Sequence, residues 1–275
     1  MDKTRDAVDR STRCALAIMA KAPNAGRIKT RLSPFLTPEE ARDLGGCFLS
    51  DMTSNLAAVA RELPLDAYIA FAPAGSEAAF AAIVHLDTRF VLADGSAAAP
   101  AGIEGFGRCL LQAASSLFGL GYGAVGLLNS DSPTLPTSLL VEAVRLLLAP
   151  HDLAVLGPSA DGGYYFLGMK RLYPHLFCTI DWSTAHVARQ TRLRARETDL
   201  RLVDLDSWYD VDDAASLRHL IAELDGNGSG TSRSAGFPAP ATAGWLRRND
   251  IRQRFGIRDL ARASAAKAVY VRRKA

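Results

Sequence analysis

Apolar residues recur along the first 225 positions of the 275-residue chain in two alternating rhythms. Short unbroken runs of small or branched side chains, of which residues 15–20 are the first, suit parallel strands buried on both faces. Further runs of this kind predict strands at 67–71, 90–92, 124–128, 153–156, 164–169 and 200–205. Between them, apolar residues return at every third or fourth position. Ala41, Leu44, Phe48, Met52, Leu56 and Val59 define one face of a helix predicted over 38–61. Its start carries the capping-box spacing Thr37-Pro38-Glu39-Glu40, with proline at the first helical position. Gly45 and Gly46 inside it each cost about 1 kcal/mol against alanine, so close packing on a neighbour is expected there. Helical spacing also predicts a short helix over 77–84 and longer ones over 108–120 and 138–148. Two more follow: one entered through Trp182-Ser183-Thr184 and ending near Glu197, and one entered through Tyr209 to Asp213 and ending at Leu224. Strands alternating with helices in this order predict a three-layer α/β/α sandwich with a mostly parallel sheet.

The pattern ends at Gly226. Residues 226–244 are almost all Gly, Ser, Ala, Thr and Pro, the composition of a flexible linker. The sequence therefore divides into an N-terminal tail 1–13, one large domain 14–225, a linker 226–244 and a basic appendage 245–275 with a helix expected near 250–267. Charge follows the same division. Eleven Lys or Arg against two Asp lie from Gly226 onward, whereas the first 225 residues carry 21 bases and 27 acids. The overall charge of +3 is thus set by the appendage and says nothing about the main domain's substrate. The basic appendage alone is compatible with phosphate or nucleic-acid binding as an added property, with Trp245, Phe255 and Tyr270 available to stack. Cys14, Cys47, Cys109 and Cys178 form no CxxC and read as free thiols. With no apolar run of the roughly 18 residues a span needs and no leader pattern, the expectation is a cytoplasmic protein without a membrane partner.

Candidate chemistry lies at the carboxyl ends of the predicted strands, where open α/β sheets bind ligands. After the first strand, Pro23 to Gly26 break the pattern, and Arg27, Lys29 and Arg31 then place a base at every second position. Gly26 would let a backbone approach, and lysine and arginine would pair with phosphoryl oxygens of a nucleotide; a solvated basic loop is the plain alternative. Neither GxGxxG nor GxxxxGK[ST] is present. Acidic residues stand at comparable places: Asp131 after the 124–128 strand, Asp161 before the 164–169 strand, and Asp210, Asp212 and Asp213 before the last helix. An isolated strand-end aspartate is commonly a turn former or helix cap. Several on one sheet edge facing a basic loop suit a magnesium- or manganese-dependent transfer from a nucleotide. Tyr164, abutting Gly163, is a candidate wall of an acceptor pocket, and Arg108 after Gly105-Phe106-Gly107 a candidate contact for an anionic acceptor. The five histidines show no ligand spacing; His186 alone lies near a candidate site segment.

Five stretches, MAKAPNAGRIKTRL, NSDSPTLP, GPSADGGYYFLG, IDWST and YDVDD, in this order, resemble the bacterial GT-A-like radical-SAM/selenodomain-associated transferases, some of which are arsenosugar-biosynthesis glycosyltransferases. The first and last also resemble 2-phospholactate guanylyltransferase and, more distantly, molybdenum-cofactor nucleotidyltransferases. The resemblance covers residues 14–224. It implies a GT-A fold, in which Lys21, Gly26, Arg27, Lys29 and Arg31 bind nucleotide phosphates, Asp131 and Asp212 hold Mg2+ or Mn2+, and Asp131, Lys29 and Asp161 serve catalysis. It also implies that Gly162 and Gly163 shape the acceptor side. Two departures stand out: DVDDAASL replaces the family's DVDTPEDL, and SDSP holds one Asp where a DxD would hold two. The implied activity is glycosyl transfer from a nucleotide sugar to a small acceptor, with nucleotidyl transfer releasing pyrophosphate as the alternative.

Overall fold

A computed structural model of the chain describes residues 9–23, 29–32, 35–226 and 235–254. Gly26 and Arg27, assigned to phosphate binding from the sequence, lie outside these residues, as does the helix expected beyond Arg254.

Seven strands form one sheet: β1 (Cys14–Lys21), β2 (Leu65–Ala72), β3 (Arg89–Leu92), β4 (Ala124–Leu128), β5 (Ala154–Pro158), β6 (Tyr164–Met169) and β7 (Leu202–Asp204). Their order is β3-β2-β1-β4-β6-β5-β7. The half containing β1 to β4 is parallel, with β1 between β2 and β4. β6 runs antiparallel to both β4 and β5, while β7 is parallel to β5. The reversal at β6 follows from the short connection 159–163, too brief for the crossover a parallel pair needs. It brings the start of β6 to the edge where β1 and β4 end.

The strands read as continuous apolar runs because both faces are covered. Leu16 and Ile18 of β1 point to one side and pack with α1 (Pro38–Ala60) and α4 (Thr137–Leu148). Ala15, Ala17 and Met19 point to the other and pack with α3 (Phe106–Gly119) and α5 (Val187–Glu197). The predicted α/β/α sandwich is what forms. The Thr37 hydroxyl accepts the Glu40 N–H and the Glu40 carboxylate accepts the Thr37 N–H, so the capping box read from the sequence is made. Alanine at position 46 would put its Cβ 3.7 Å from Ile83 Cδ1, ordinary contact. Close packing therefore does not explain that glycine. The remaining helices are α2 (Ala78–Ala81), α6 (Ala214–Leu224), α7 (Pro240–Arg248) and α8 (Ile251–Arg254).

The division of the C-terminal region differs from the expectation. Helix α7 begins inside the stretch read as linker, and Trp245, Leu246 and Ile251 are buried with Leu44 and Phe48 of α1 and Leu220 and Ile221 of α6. Buried Asp51 of α1 accepts the Ala241 N–H at 2.9 Å and the Thr242 N–H at 2.8 Å, capping α7. Two of the appendage's bases pair with acids of the main domain, Arg252 with Asp225 and Arg254 with Glu40. Composition marked a boundary here because a few large apolar side chains among many small ones suffice to dock a short helix. Among the described residues no helix is long and apolar enough to cross a membrane.

Candidate active site

The ends of β1 and β4, the 159–163 turn and the 209–213 segment before α6 line one cleft of about 580 Å³. Its charged half is built around Lys29. The Lys29 ammonium lies 2.7 Å from Asp131 Oδ1 and 3.4 Å from Asp212 Oδ1, and donates to the Val211 carbonyl. It also stands 5.1 Å from the centre of the Phe48 ring. Only 6% of this side chain is exposed, so its charge is held within the wall and not waved in solvent. Lys29 adopts φ 52°, the left-handed region disfavoured for a residue with a Cβ; its several contacts offset that strain. Arg31 Nη1 is 3.9 Å from Asp212 Oδ2 and otherwise open, and Lys21 is exposed at the cleft floor.

The acids are positioned by hydrogen bonds between segments. Asp131's carbonyl accepts the Val211 N–H at 2.8 Å, and Ser132 Oγ donates to the Tyr209 carbonyl at 2.9 Å. The β4 loop and the loop before α6 are thus laced together, which brings Asp131 beside Asp210 and Asp212. Asp213, by contrast, caps α6 through the N–H groups of Ala215 and Ser216 and is a structural residue. Burial, together with Asp161, Asp212 and Asp131, pushes the Asp210 carboxyl up to about 6. Burial and Asp131 raise Asp212 as well, against the pull of Lys29.

The cleft also presents aromatic rings. Phe106 at the start of α3, Tyr164 at the start of β6, and Trp182 line it, as do Asp161, Ser183 and Thr184. Trp182 meets Phe106 edge to face at 5.6 Å and Tyr164 at 6.5 Å. It lies on Gly107, where an added Cβ would come within 3.0 Å of Nε1. The Tyr164 hydroxyl is buried and has no hydrogen-bond partner among the described residues. Burial pushes its pKa up, so this residue offers the cleft a ring face. Gly163 donates to Asp161 Oδ1 at 2.9 Å, fixing that carboxylate at the turn. Gly162, at φ +92°, has no room for a side chain, because a Cβ would stand 2.3 Å from the Ala185 carbonyl oxygen.

Of the residues assigned from the sequence, Lys21, Lys29, Arg31, Asp131, Asp161, Asp212, Gly163 and Tyr164 line this cleft. Gly162 is not among the lining residues. Arg108 is placed elsewhere: Nε donates to the Gly95 carbonyl at 2.9 Å and Nη2 to that of Ala97 at 3.0 Å, holding the preceding loop. His186 is exposed at the start of α5, outside the lining. Phe106, Trp182 and Ser183 were not assigned from the sequence, where exposed aromatic residues are indistinguishable from core ones. Asp210 was noticed in its cluster, but its raised pKa arises from burial and from neighbours that include Asp161 and Asp131, distant in sequence.

A divalent cation fits this donor set. Four carboxylates, those of Asp131, Asp161, Asp210 and Asp212, face three described cations, Lys21, Lys29 and Arg31. Asp131 and Asp212 already share one positive group, the Lys29 ammonium. Among the described residues no three carboxylates, histidines or cysteines converge on one point. Two carboxylates completed by diphosphate oxygens are nevertheless a usual environment for magnesium.

Such a sheet edge, with phosphate-type cations facing clustered carboxylates, is that of a GT-A-type transferase. Residues 55–184 match the model of a family described as an uncharacterized protein conserved in bacteria, DUF2064. The chain is 30% identical to a candidate nucleotide-diphospho-sugar transferase from Desulfovibrio desulfuricans G20, whose crystal structure superposes with a TM-score of 0.69 over 88% of this chain and 97% of that one. It is 26% identical over 219 residues to 2-phospho-L-lactate guanylyltransferase of Haloarcula marismortui, covering 78% of this chain and 90% of that protein. The chain belongs to the DUF2064 family, shares the fold of the nucleotide-diphospho-sugar transferases, and is a transferase.

Proposed function

We propose that the protein transfers a glycosyl group from a nucleotide sugar to a hydroxyl of a small, uncharged acceptor. The observation that carries this reading is the lining of the cleft. Besides Lys21, Lys29 and Arg31, it presents the rings of Phe106, Tyr164 and Trp182, the hydroxyl residues Ser183 and Thr184, and the carboxylate of Asp161. A phosphorylated acceptor would need positive charge of its own, in addition to the cations that hold the donor. An acceptor hydroxyl needs a carboxylate to take its proton and ring faces to pack on.

In this reading Lys29, Arg31 and Lys21 bind the donor's phosphates, and Asp131 and Asp212 hold a magnesium or manganese ion. That ion would supply electrostatic stabilisation of the departing diphosphate. The acceptor oxygen forms a bond to the anomeric carbon as the bond from that carbon to the diphosphate oxygen breaks. The electron pair stays on the diphosphate, and the acceptor proton passes to Asp161. Lys29, already fixed in place, stabilises charge developing on the leaving oxygens without reorganising.

The relation to 2-phospho-L-lactate guanylyltransferase favours a second reading, attack of a phosphorylated acceptor on a nucleoside triphosphate with release of pyrophosphate. Product analysis separates the two. With a divalent metal, a panel of nucleotide sugars and simple glycosyl acceptors is expected to yield a nucleoside diphosphate, and a panel of triphosphates no pyrophosphate. Pyrophosphate release that depends on a phosphorylated acceptor and disappears in Lys29→Ala would establish the second reading.

A further inference from the structure

We propose that the C-terminal segment, through Trp245 and Arg254, positions the cation-bearing turn of the active site and so sets the protein's affinity for nucleotide phosphates. The proposal rests on the phosphate role given above to Lys29 and Arg31. The turn Lys29 to Leu32 is a single 3-10 turn whose Leu32 N–H bonds the Lys29 carbonyl at 2.9 Å. The N–H groups of Phe35 and Leu36 both bond the Leu32 carbonyl. So short an element has little stability of its own. Its order comes from what it packs on. Leu32 and Leu36 are fully or almost fully buried in a small core shared with Phe48, Trp245, Leu246 and Ile251. Phe48 is also the ring beneath the Lys29 ammonium.

Arg254 closes this arrangement from outside. Its guanidinium donates to both oxygens of Glu40, at 2.6 and 3.2 Å, and to the Phe35 carbonyl at 2.6 Å. Glu40 is at the same time the acid of the capping box that starts α1. One side chain of the C-terminal segment thus ties Phe35 to the first turn of α1. The clamp is charge-assisted and forked, which fixes direction as well as distance. The strap is anchored independently, by Asp51 at the start of α7 and by Arg252 on Asp225. Losing Arg254 therefore loosens the turn without releasing the helix.

The test is Arg254→Gln in the full chain, read by amide hydrogen exchange and by calorimetric titration with magnesium pyrophosphate. Arg254 is 41% exposed, so the substituted protein is expected to keep its fold. The amides of Leu32, Phe35 and Leu36 should exchange about ten-fold faster, with those of β1 and β4 unchanged, and pyrophosphate affinity should fall about five-fold. Arg254→Lys should recover part of both effects. Unchanged exchange at the three amides would overturn the proposal, as would faster exchange with undiminished pyrophosphate affinity. Exchange needs no ligand. A wild-type protein that fails to bind magnesium pyrophosphate, while Arg254→Gln still loosens the turn, would overturn the phosphate role of Lys29 and leave the mechanical coupling standing.

Discussion

At the scale of single residues, Lys29 is where sequence and structure connect most closely. Alternation of bases singled it out together with Arg27 and Arg31, but alternation could not distinguish a buried ammonium from a solvated one. Its φ of 52° turns the side chain inward onto Asp131, Asp212 and the Val211 carbonyl. Lys29→Ala should cost about 2 to 4 kcal/mol of transition-state stabilisation, measured as kcat/KM for the donor. Arg31→Ala should cost less, because that guanidinium is largely exposed. Asp131→Asn removes charge but almost no volume, and is expected to keep the fold while lowering turnover about 100-fold; initial rates across a magnesium titration check it. A second charged group, remote from the cleft, tests stability. Burial opposes ionisation of Asp66, but hydrogen bonds from Arg13 and Tyr122 and the nearby Arg89 outweigh it and hold the carboxyl below the usual carboxylate range. The unfolded chain then binds a proton more readily than the folded one. The stability conferred by Asp66 is full near neutrality and is lost as pH falls below about 4. The gap in unfolding free energy between wild type and Asp66→Asn should shrink accordingly in denaturant titrations at pH 7 and pH 3.

At the scale of elements, the capping box and the 3.6-residue period placed α1 almost to the residue. The glycines within it required tertiary contacts to interpret. Gly45 lines the cleft floor, whereas Gly46 is buried with space for a methyl group beside Ile83. Gly46→Ala should therefore stabilise the protein by about 1 kcal/mol, read as a higher Tm with unchanged turnover. Strand identities were likewise legible, since unbroken apolar runs between turn residues have few other uses. The direction of β6 was not written in its composition: it follows from a connection only five residues long, 159–163, and it is what brings Asp161 to the edge occupied by Asp131.

For the whole molecule, the C-terminal segment changes the expectation for truncation. A chain ending at Asp225 would expose Leu44, Phe48, Leu220 and Ile221 and leave the buried carboxylate of Asp51 without the two N–H groups that satisfy it. Losing the burial of Trp245, Leu246 and Ile251 costs on the order of 5 kcal/mol, comparable to the entire stability of many domains. Such a chain is expected to be insoluble or to melt far below the full-length protein, with scanning calorimetry as the measurement. A cooperative melt at the full-length temperature would mean that α7 is a bystander.

The sequence by itself determined the layers, the start of α1 and the edge of the sheet at which chemistry gathers. Periodicity and punctuation are local signals, and the carboxyl end of a strand is defined wherever the strand is. Tertiary structure decided which charges share one cleft, which aromatic residues line it and that Trp245, Leu246 and Ile251 pack on α1 and α6. Those outcomes depend on pairs far apart in the chain, such as Lys29 with Asp131 and Asp51 with Ala241. A composition window averages over such pairs. It reported a linker at 226–244, although α7 begins there and is fastened by a buried carboxylate and by the apolar side chains of Trp245, Leu246 and Ile251 just beyond.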